Sequence, residues 1–364
     1  MKVPLIRPMM GKEEEENILS VLRSGMLAQG PWVKRFEEEF AKLIGVEHAV
    51  AVSSGTAALD LALKAMGVGA GDEVIVPDFT FIATANAVLF QRAKPVFADI
   101  EPSTFNISPK DVESKITPKT KAVIAVHLFG QPAELSELER ICAEHGIKLL
   151  EDCAQAHGAE YNGRRVGSFG TGAFSFYPTK NMTSGEGGMV TTGDGALAKQ
   201  IDLLRNHGQS DKYLHTSLGY NLRMNDIEAS IGVAQLGRLE EMNRKRIENA
   251  EFLNGELKDV GGIAVPEKKE NTKHVYHQYV IKVTPEFPLS RDELKKFLAE
   301  KEIGSAIHYP KPIHEQPFYS SQGYAVECPV AVEAAKQVLS LPVYPSLEKE
   351  QLVYVAESVK EAGE

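Results

Sequence analysis

The sequence predicts an α/β fold in which a large, mostly parallel sheet is followed by a smaller α+β C-terminal domain. Short apolar runs alternate with segments of helical periodicity from residue 48 onward, which is typical of a parallel sheet buried on both faces. After residue 226 a long helical stretch precedes a shorter mixture of strand and helix patterns. The chain has 364 residues, and at roughly 150 residues per domain this length favours two domains.

Seven short apolar runs are the predicted strands of the large sheet. They are His48–Ser53, Glu73–Pro77, Pro95–Asp99, Ala122–His127, Lys148–Asp152, Gly172–Phe176 and Gly188–Thr192. Helices are predicted at Ala57–Met66, Phe81–Phe90 and Pro132–His145. Ligands of such sheets bind beyond the carboxyl ends of the strands, so the loops after these runs are where functional residues are expected.

The two ends of the chain complete this organisation. A helix is predicted at Glu13–Ser24, and another follows Gly30-Pro31. Beyond the large sheet, the predicted elements are a helix at Asp226–Leu257, a strand at Tyr276–Val283, and helices at Arg291–Glu300 and Val330–Leu339. We place the domain division within the long helix, with residues 1–245 in the large domain and residues 246–364 in the small one.

The composition excludes several classes of protein. Apolar residues make up 43% of the chain and charged residues 25%, which is ordinary for a globular protein. The formal net charge is −10, so a nucleic-acid partner, which needs a basic surface, is not expected. The chain has no run of about 18 apolar residues, so no membrane span is expected.

The cysteines indicate whether a disulfide or a metal site is expected, and the first residues indicate the cellular compartment. The three cysteines are widely spaced and form no CxxC pair, so neither a disulfide framework nor a zinc site is expected, and no metal is predicted. The first residues lack the apolar region of a secretory signal. The predicted location is therefore the cytoplasm.

The first candidate motif is SSGTAA, residues 53–58, which follows a predicted strand and opens a helix. Gly55 allows close approach of the backbone, and the free N–H groups of a helix start can bind an anion. A simple capped turn would have the same appearance, so this segment alone does not distinguish the two.

The second motif is LLEDCAQAHG, residues 149–158, in which Glu151 and Asp152 end an apolar strand. A buried carboxylate needs a partner, because an unpaired buried charge is costly. A protonated ring nitrogen, an internal lysine or arginine, or a metal ion would each be suitable.

The third motif is FSFYPTKNMTSGEGG, residues 174–188, which places Lys180 in a glycine-rich loop after a strand. A loop lysine is usually a solvated cation, but a desolvated amine at a strand end can act as a nucleophile. An aldehyde cofactor with a phosphate needs an anion site, a carboxylate for its ring nitrogen and an amine. The three motifs supply these groups in that order.

Several motifs carry a resemblance to a known family. They are GMLAQGPWVKRFEEEFAKLIGVEHAVAVSSGTAALDLAL, PDFTFIATANAV, EDCAQAHGA, FSFYPTKNMTSGEGG, RNHG, GYNLRMNDIEASIGVAQL and HYPKPIHEQPFY. With them the chain resembles, over essentially its whole length, the DegT/DnrJ/EryC1/StrS sugar aminotransferases. These enzymes have the aspartate aminotransferase fold, known as PLP fold type I after the cofactor pyridoxal 5'-phosphate (PLP).

The resemblance implies that PLP is the cofactor and assigns its contacts. Lys180 corresponds to the lysine that forms the Schiff base, and Asp152 to the carboxylate that bonds the ring nitrogen. The further implied contacts are Gln155 beside the ring hydroxyl, Phe81 stacked on the ring, and Gly55, Thr56 and Ser175 at the phosphate. Asn221 lies in the segment that the family donates to the phosphate of a neighbouring subunit, and Arg223 is close enough to be the alternative. The implied assembly is a homodimer with active sites at its interface.

The implied reaction has two half-reactions in one site and therefore ping-pong kinetics. L-Glutamate gives its amine to PLP, and a nucleotide-diphosphate keto-sugar then accepts it, forming an amino sugar for surface-glycan or secondary-metabolite synthesis. Substrate contacts are expected from His308, Tyr309 and His314 in HYPKPIH, whose form resembles members that aminate at C3 more than members that aminate at C4. Nucleotide, sugar and pathway are left open.

Three alternative functions remain to be compared with a sugar aminotransferase. A PLP-dependent sugar dehydratase of the same family would have histidine in place of Lys180. An amino-acid lyase of the same fold would lack the sugar-family motifs. A regulatory DNA-binding protein, a role once attached to the family's name, disagrees with the net charge of −10.

Overall fold

The computed structural model describes residues 1–324 and 326–364. The α-helices are α1 Lys12–Ser24, α2 Pro31–Ile44, α3 Gly55–Ala65, α4 Ala83–Phe90, α5 Pro109–Ser114, α6 Leu135–His145, α7 Gly195–Arg205, α8 Asp226–Leu257, α9 Arg291–Glu300, α10 Pro317–Ser321, α11 Pro329–Gln337 and α12 Lys349–Glu361. The strands are β1 His48–Val52, β2 Glu73–Pro77, β3 Lys94–Ala98, β4 Thr120–Val126, β5 Lys148–Asp152, β6 Glu160–Tyr161, β7 Arg164–Arg165, β8 Thr171–Ser175, β9 Gly188–Thr192, β10 Gln209–Asp211, β11 Leu214–His215, β12 Ile263–Ala264, β13 Thr272–Lys273, β14 Tyr279–Val283 and β15 Val338–Leu341.

The large sheet has the strand order β1-β9-β8-β5-β4-β2-β3. Strand β9 is antiparallel to both of its neighbours, whereas the pairs from β8 to β3 are parallel. All seven predicted strands are present in this sheet, and it is mostly parallel as predicted. Because parallel strands point the same way, the loops that follow β2, β4, β5 and β8 meet at one edge of the sheet.

Apolar side chains cover both faces of this sheet. One buried cluster joins residues of α3, α4 and α7, and the other joins residues of α2, α6 and the first half of α8. Successive strand residues enter opposite clusters, as Leu149 and Leu150 do, because side chains alternate across a strand. This burial on both faces explains why the strands are continuous apolar runs.

A second, smaller layer follows α8. Strands β12, β14 and β15 form an antiparallel sheet, and its apolar cluster includes residues of α9 and α12. Helix α8 is unbroken through residue 245, and Ala250, Leu253 and Leu257 near its end belong to this cluster. The division that we placed at residue 245 thus lies within a continuous helix and stays a prediction.

Two predicted elements of this region were wrong at their ends. The predicted helix Val330–Leu339 ends at Gln337, and Val338–Leu341 instead forms β15, which pairs with β14. The predicted strand from Tyr276 begins only at Tyr279, and Tyr276 has a φ of 43°, which is incompatible with an extended strand. Across the described residues, the helices are too short or too polar to span a bilayer.

Candidate active site

A pocket of about 480 Å³ lies beyond the carboxyl ends of the sheet strands. It brings together most of the residues that the sequence suggested. Those that line it are Gly55, Thr56, Phe81, Asp152, Gln155, Ser175, Lys180, His308 and Tyr309. Residues that lie far apart in the chain therefore share one cavity, which is the first requirement of a common site.

The start of α3 forms one end of the pocket. The Ser54 hydroxyl caps the helix by accepting a hydrogen bond from the N–H of Ala57 at 3.1 Å. A Cβ atom on Gly55 would lie 2.5 Å from the Cβ of Ser175, so the approach of these two segments requires glycine. The first-turn N–H groups of a helix lack intrahelical partners, and together with nearby hydroxyl groups they suit a phosphate.

Asp152 ends β5 with its buried carboxylate in the pocket. It accepts hydrogen bonds from the Thr84 hydroxyl at 2.9 Å and from the N–H of Ala154 at 3.2 Å. Burial raises the pKa of Asp152 in spite of these bonds. A protonated ring nitrogen beside the carboxylate would oppose that rise, so the site suits a cationic heterocycle.

The neighbouring acid, Glu151, has a different environment. Its carboxylate accepts backbone N–H groups from residues 167, 169 and 170 at 2.7 to 2.9 Å. It also bonds the Nε2 atom of His127 at 3.2 Å. The Nδ1 atom of His127 accepts the N–H of Ala133, so Nε2 carries the proton. Glu151 therefore stabilises the fold beside the site.

His127 and Glu151 form, with Cys153, the one group of metal-ligand composition that the described residues offer. The hydrogen bonds just described already occupy the ring nitrogens and the carboxylate. Burial is also the main cause that raises the pKa of the Cys153 thiol, which disfavours the thiolate that a metal requires. The three side chains are thus better described as a buried hydrogen-bonded cluster.

Lys180 lies in the loop between β8 and β9, and its side chain is half-buried at the pocket. Burial lowers the pKa of Lys180 to about 8, although the nearby Asp152 carboxylate opposes the change. The loop is held on both sides of this lysine. Thr183 donates to the carbonyl of Phe176 at 2.7 Å, and Asn181 donates to Asn243 at 2.8 Å. The amine is therefore positioned and substantially neutral near pH 8.

Gln155, Tyr309 and Phe81 form the side of the pocket. Gln155 accepts the N–H of Phe129 at 2.8 Å and donates to the Tyr309 hydroxyl at 3.0 Å. The Phe81 ring is 55% exposed, and its centroid is 6.3 Å from that of Tyr309. An exposed aromatic face at the pocket is available to stack on a planar ring.

Two of the predicted substrate residues are held by protein groups. His308 Nδ1 is 2.9 Å from the Ser340 hydroxyl. Burial, and then the nearby Lys180, lower the pKa of His308 to about 4, so its ring in the pocket is neutral. His314 does not line the pocket. Its backbone N–H and its Nδ1 atom both bond the fully buried carboxylate of Asp78.

Asn221 and Arg223 also lie outside the pocket lining. Asn221 is exposed to solvent, and the Arg223 guanidinium bonds the side-chain oxygen of Asn206. The carbonyl of Leu222, between them, accepts the N–H of Ser53 at 2.9 Å just before α3, but neither side chain lines the pocket of its own chain. The role of both at a phosphate stays a prediction that concerns a second copy of the chain.

Sequence reasoning missed several residues that line the pocket, among them Thr84, Tyr177 and His277. Thr84 and Tyr177 lie inside motifs already singled out, so closer attention to hydroxyl groups there could have found them. His277 lies inside a predicted strand, and no sequence signal separated it from an ordinary buried histidine.

The residues present fit PLP. Three groups that PLP requires meet in one pocket. The glycine at the start of α3 leaves room for an anion, the carboxylate of Asp152 suits a ring nitrogen, and the amine of Lys180 suits the aldehyde. Together with the large, mostly parallel sheet and the small α+β layer, they define PLP fold type I.

Comparison with known proteins agrees with this class. The model of the DegT/DnrJ/EryC1/StrS aminotransferase family matches residues 8–360, and the chain belongs to that family. UDP-N-acetyl-3-dehydro-alpha-D-glucosamine 3-aminotransferase of Acidithiobacillus ferrooxidans is 43% identical over 90% of this chain and 87% of that protein. The Geobacillus stearothermophilus protein named pleiotropic regulatory protein is 42% identical over 94% of this chain and 92% of its own.

A solved structure extends the agreement to the fold. DesV of S. venezuelae, in complex with a ketimine intermediate, superposes with a TM-score of 0.93 and 40% sequence identity, covering 97% of this chain and 94% of DesV. The predicted fold class, the family and the PLP cofactor are thereby confirmed. The protein is a PLP-dependent sugar aminotransferase.

Proposed function

We propose that the enzyme transfers the amino group of L-glutamate to a nucleotide-diphosphate-linked keto-sugar, at C3 or C4, in two successive half-reactions. Lys180 is the residue that bonds PLP between turnovers. The observation that carries the proposal is the single pocket in which the start of α3, Asp152 and Lys180 meet.

PLP, when bound, supplies an electron sink for the reacting carbon. The chain supplies the remaining functions. Asp152 keeps the ring nitrogen protonated, and Thr84 orients that carboxylate through its hydrogen bond at 2.9 Å. Lys180, whose pKa is lowered to about 8 chiefly by burial, takes and returns the proton that moves between substrate and cofactor atoms.

The substrate proposal rests on the relatives and on the neutral pocket wall. The relative from A. ferrooxidans is named for a UDP-linked 3-dehydro sugar and for amination at position 3, which supports a nucleotide sugar and favours C3. His308 and Tyr309 offer neutral polar groups, which suit sugar hydroxyls. L-Glutamate is the donor that the family resemblance implies, and cytoplasmic location likewise remains a prediction.

The active form that we propose is a homodimer with sites at its interface. The described pocket lining contains Lys180 as its one lysine or arginine, so it has few groups for the charges of PLP and a nucleotide diphosphate. Asn221 is exposed and Arg223 lies two residues away. In a dimer, one of these two side chains from a second copy would complete the phosphate site.

Each alternative function can be tested separately. A sugar dehydratase is disfavoured by Lys180, and product analysis would separate transamination from lyase chemistry. The G. stearothermophilus relative is named a pleiotropic regulatory protein. A regulatory role for this chain through DNA binding is disfavoured by the net charge of −10. A gel shift that survives physiological salt would be needed to support it.

The test is an absorbance spectrum of the purified protein with PLP, before and after L-glutamate. We expect a visible band from the Lys180-bound cofactor that glutamate removes. Lys180→Ala should lack the band and lose activity by about 10⁴-fold or more, because nucleophile and base are both removed. Lys199→Ala, at an exposed lysine of α7, should behave as wild type.

The other outcomes are equally informative. A wild-type protein without the band would contradict the role of Lys180. If the band is present but glutamate leaves it unchanged, PLP is the cofactor and glutamate is not the amino donor. Screening nucleotide keto-sugars against the glutamate-treated enzyme then tests the acceptor.

A further inference from the structure

His277 is a buried histidine in the wall of the pocket, next to Gln278. Its segment is held by the loop after β4. The carbonyl of Gly130 accepts the N–H of Val275 at 3.1 Å, and the carbonyl of Phe129 accepts that of Gln278 at 3.4 Å. The ring is therefore presented to the pocket by backbone contacts on either side.

A chain of side-chain hydrogen bonds determines which ring nitrogen carries the proton. Asn243 donates through Nδ2 to the carbonyl of His157 at 2.8 Å, so its Oδ1 accepts from Asn181 Nδ2, also at 2.8 Å. Asn181 Nδ2 donates in addition to the carbonyl of Val275 at 3.0 Å. Its Oδ1 therefore faces His277 Nδ1, at 3.2 Å, as an acceptor. His277 must carry its proton on Nδ1.

The Nε2 atom of His277 is consequently an acceptor. Among the described residues, the ring makes its side-chain hydrogen bond through Nδ1, which leaves Nε2 available to a group in the pocket. Burial, and then the positive or protonatable groups Lys180, Arg246, His308 and His157, lower the pKa of His277 well below its ordinary value. The ring is therefore neutral throughout the physiological range and offers a lone pair, which suits an amine or hydroxyl rather than a carboxylate.

Lys180 is the adjacent donor. Its Nζ makes no hydrogen bond among the described residues, and the nearby Asp152 carboxylate is already bonded to Thr84 and Ala154. Lys180 is also the residue next to Asn181, which holds the histidine ring. Donor and acceptor thus lie in one pocket wall, and each lacks a partner.

We propose that His277 is a positioning residue for Lys180: when substrate displaces the amine from the cofactor during turnover, the lysine side chain turns to donate a hydrogen bond to Nε2 of the imidazole. One N–H points to the histidine, so the lone pair of the amine is directed into the pocket. When Lys180 accepts a proton from substrate, the ammonium keeps it and donates the same bond, because the imidazole is too weak a base to remove it.

The test compares His277→Phe with His274→Phe in the holoenzyme. His274 is a buried neutral histidine of the same segment, stacked on Tyr276 and outside the pocket lining. We expect His277→Phe to bind PLP with the wild-type absorbance, because the amine is then bonded to the cofactor. Its single-turnover rate with L-glutamate should fall by about 10- to 100-fold, since the base is no longer oriented.

The pH profile separates positioning from a structural role. Without Nε2 of His277 as acceptor, the Lys180 ammonium loses a stabilising hydrogen bond, so the pKa of Lys180 falls. The ascending limb of the pH–rate profile should therefore shift to lower pH. His277→Gln, which can return an acceptor, should recover part of the rate. Where His277→Phe does not fold, Asn181→Leu releases the ring and should show the same shift.

Two results would overturn the inference. One is a His277→Phe variant whose single-turnover rate and pH–rate profile equal those of the wild type, and the other is a loss of rate that His274→Phe shows to the same extent. The inference rests on the proposed role of Lys180, and borohydride reduction distinguishes the two failures. If reduction attaches the cofactor to another residue, the proposed function fails; if it attaches it to Lys180 and His277→Phe is unaffected, only the positioning role fails.

Discussion

The floor of the pocket and the loop of residues 307–316 are held in different ways. The floor is formed by Asp152 at the end of β5, Thr84 in α4 and Lys180 in the loop after β8, and β5 is paired on both sides within the sheet. The 307–316 loop is irregular apart from a 3₁₀ turn at Ile313–Glu315, and several of its main attachments are individual hydrogen bonds that involve side chains. These are Gln155 to Tyr309, His308 to Ser340, and His314 to Asp78.

This difference separates the demands of cofactor chemistry from those of substrate choice. Atoms on a paired, buried strand move little, which suits a carboxylate that must face one ring nitrogen. A loop held by individual bonds can change one contact at a cost of about 1 kcal/mol without unfolding the sheet. Changes in the floor should therefore lower kcat, whereas changes in the loop should raise KM.

The largest effect in this comparison is expected for Asp152→Asn. A neutral amide does not keep the ring nitrogen protonated, so kcat should fall on the order of 10²- to 10³-fold while the protein stays folded. Steady-state kinetics and thermal melting measure the two properties. The matched control is Glu151→Gln, which removes acceptors for buried N–H groups and should lower stability more than kcat. Equal losses of kcat in both variants would contradict the separation.

The pH dependence of cofactor attachment is the next test of the floor. In the role that we propose for Lys180, the neutral amine is the nucleophile, and burial lowers the pKa of this residue to about 8. The rate at which cofactor-free protein bonds PLP should thus rise about tenfold per pH unit up to about pH 8 and then level off. Stopped-flow absorbance from pH 6.5 to 9.5 measures this rise. A rate that still climbs tenfold per unit above pH 9 would show a lysine with an ordinary pKa.

The smallest effect is expected for the loop. Asp78→Asn weakens the attachment of His314, so KM for the keto-sugar should rise about fivefold with little change in kcat, which corresponds to one hydrogen bond. His314→Gln should have the same effect, and the double variant should be no worse than either single one. If His314→Gln raises KM and Asp78→Asn does not, His314 contacts the substrate itself, as the sequence analysis expected.

Asp152 and Lys180 of the floor could be predicted from the sequence, although Thr84 was missed, whereas less of the loop could be predicted. Each floor motif follows a strand of one parallel sheet, and strand ends of such a sheet converge, so motifs far apart in the chain could be placed together. The 307–316 loop offered only the residue types of HYPKPIH. Whether His314 would face the cavity or a buried aspartate depended on the path of an irregular loop, which carries no periodicity.

Local pattern determined the mostly parallel sheet, because strand–helix alternation specifies it, and the order of three motifs suggested an anion site, a carboxylate and an amine at its edge. The class of the protein came from the resemblance of its motifs to a known family. The tertiary structure decided what depends on contacts between distant segments. It separated Glu151 from Asp152 through the alternation of side chains across β5 and a neighbouring turn. It also brought His277 into the same pocket as Lys180. The ring is held there through Asn181 and Asn243, which lie 62 residues apart, and no short-range pattern records such a hydrogen-bond chain.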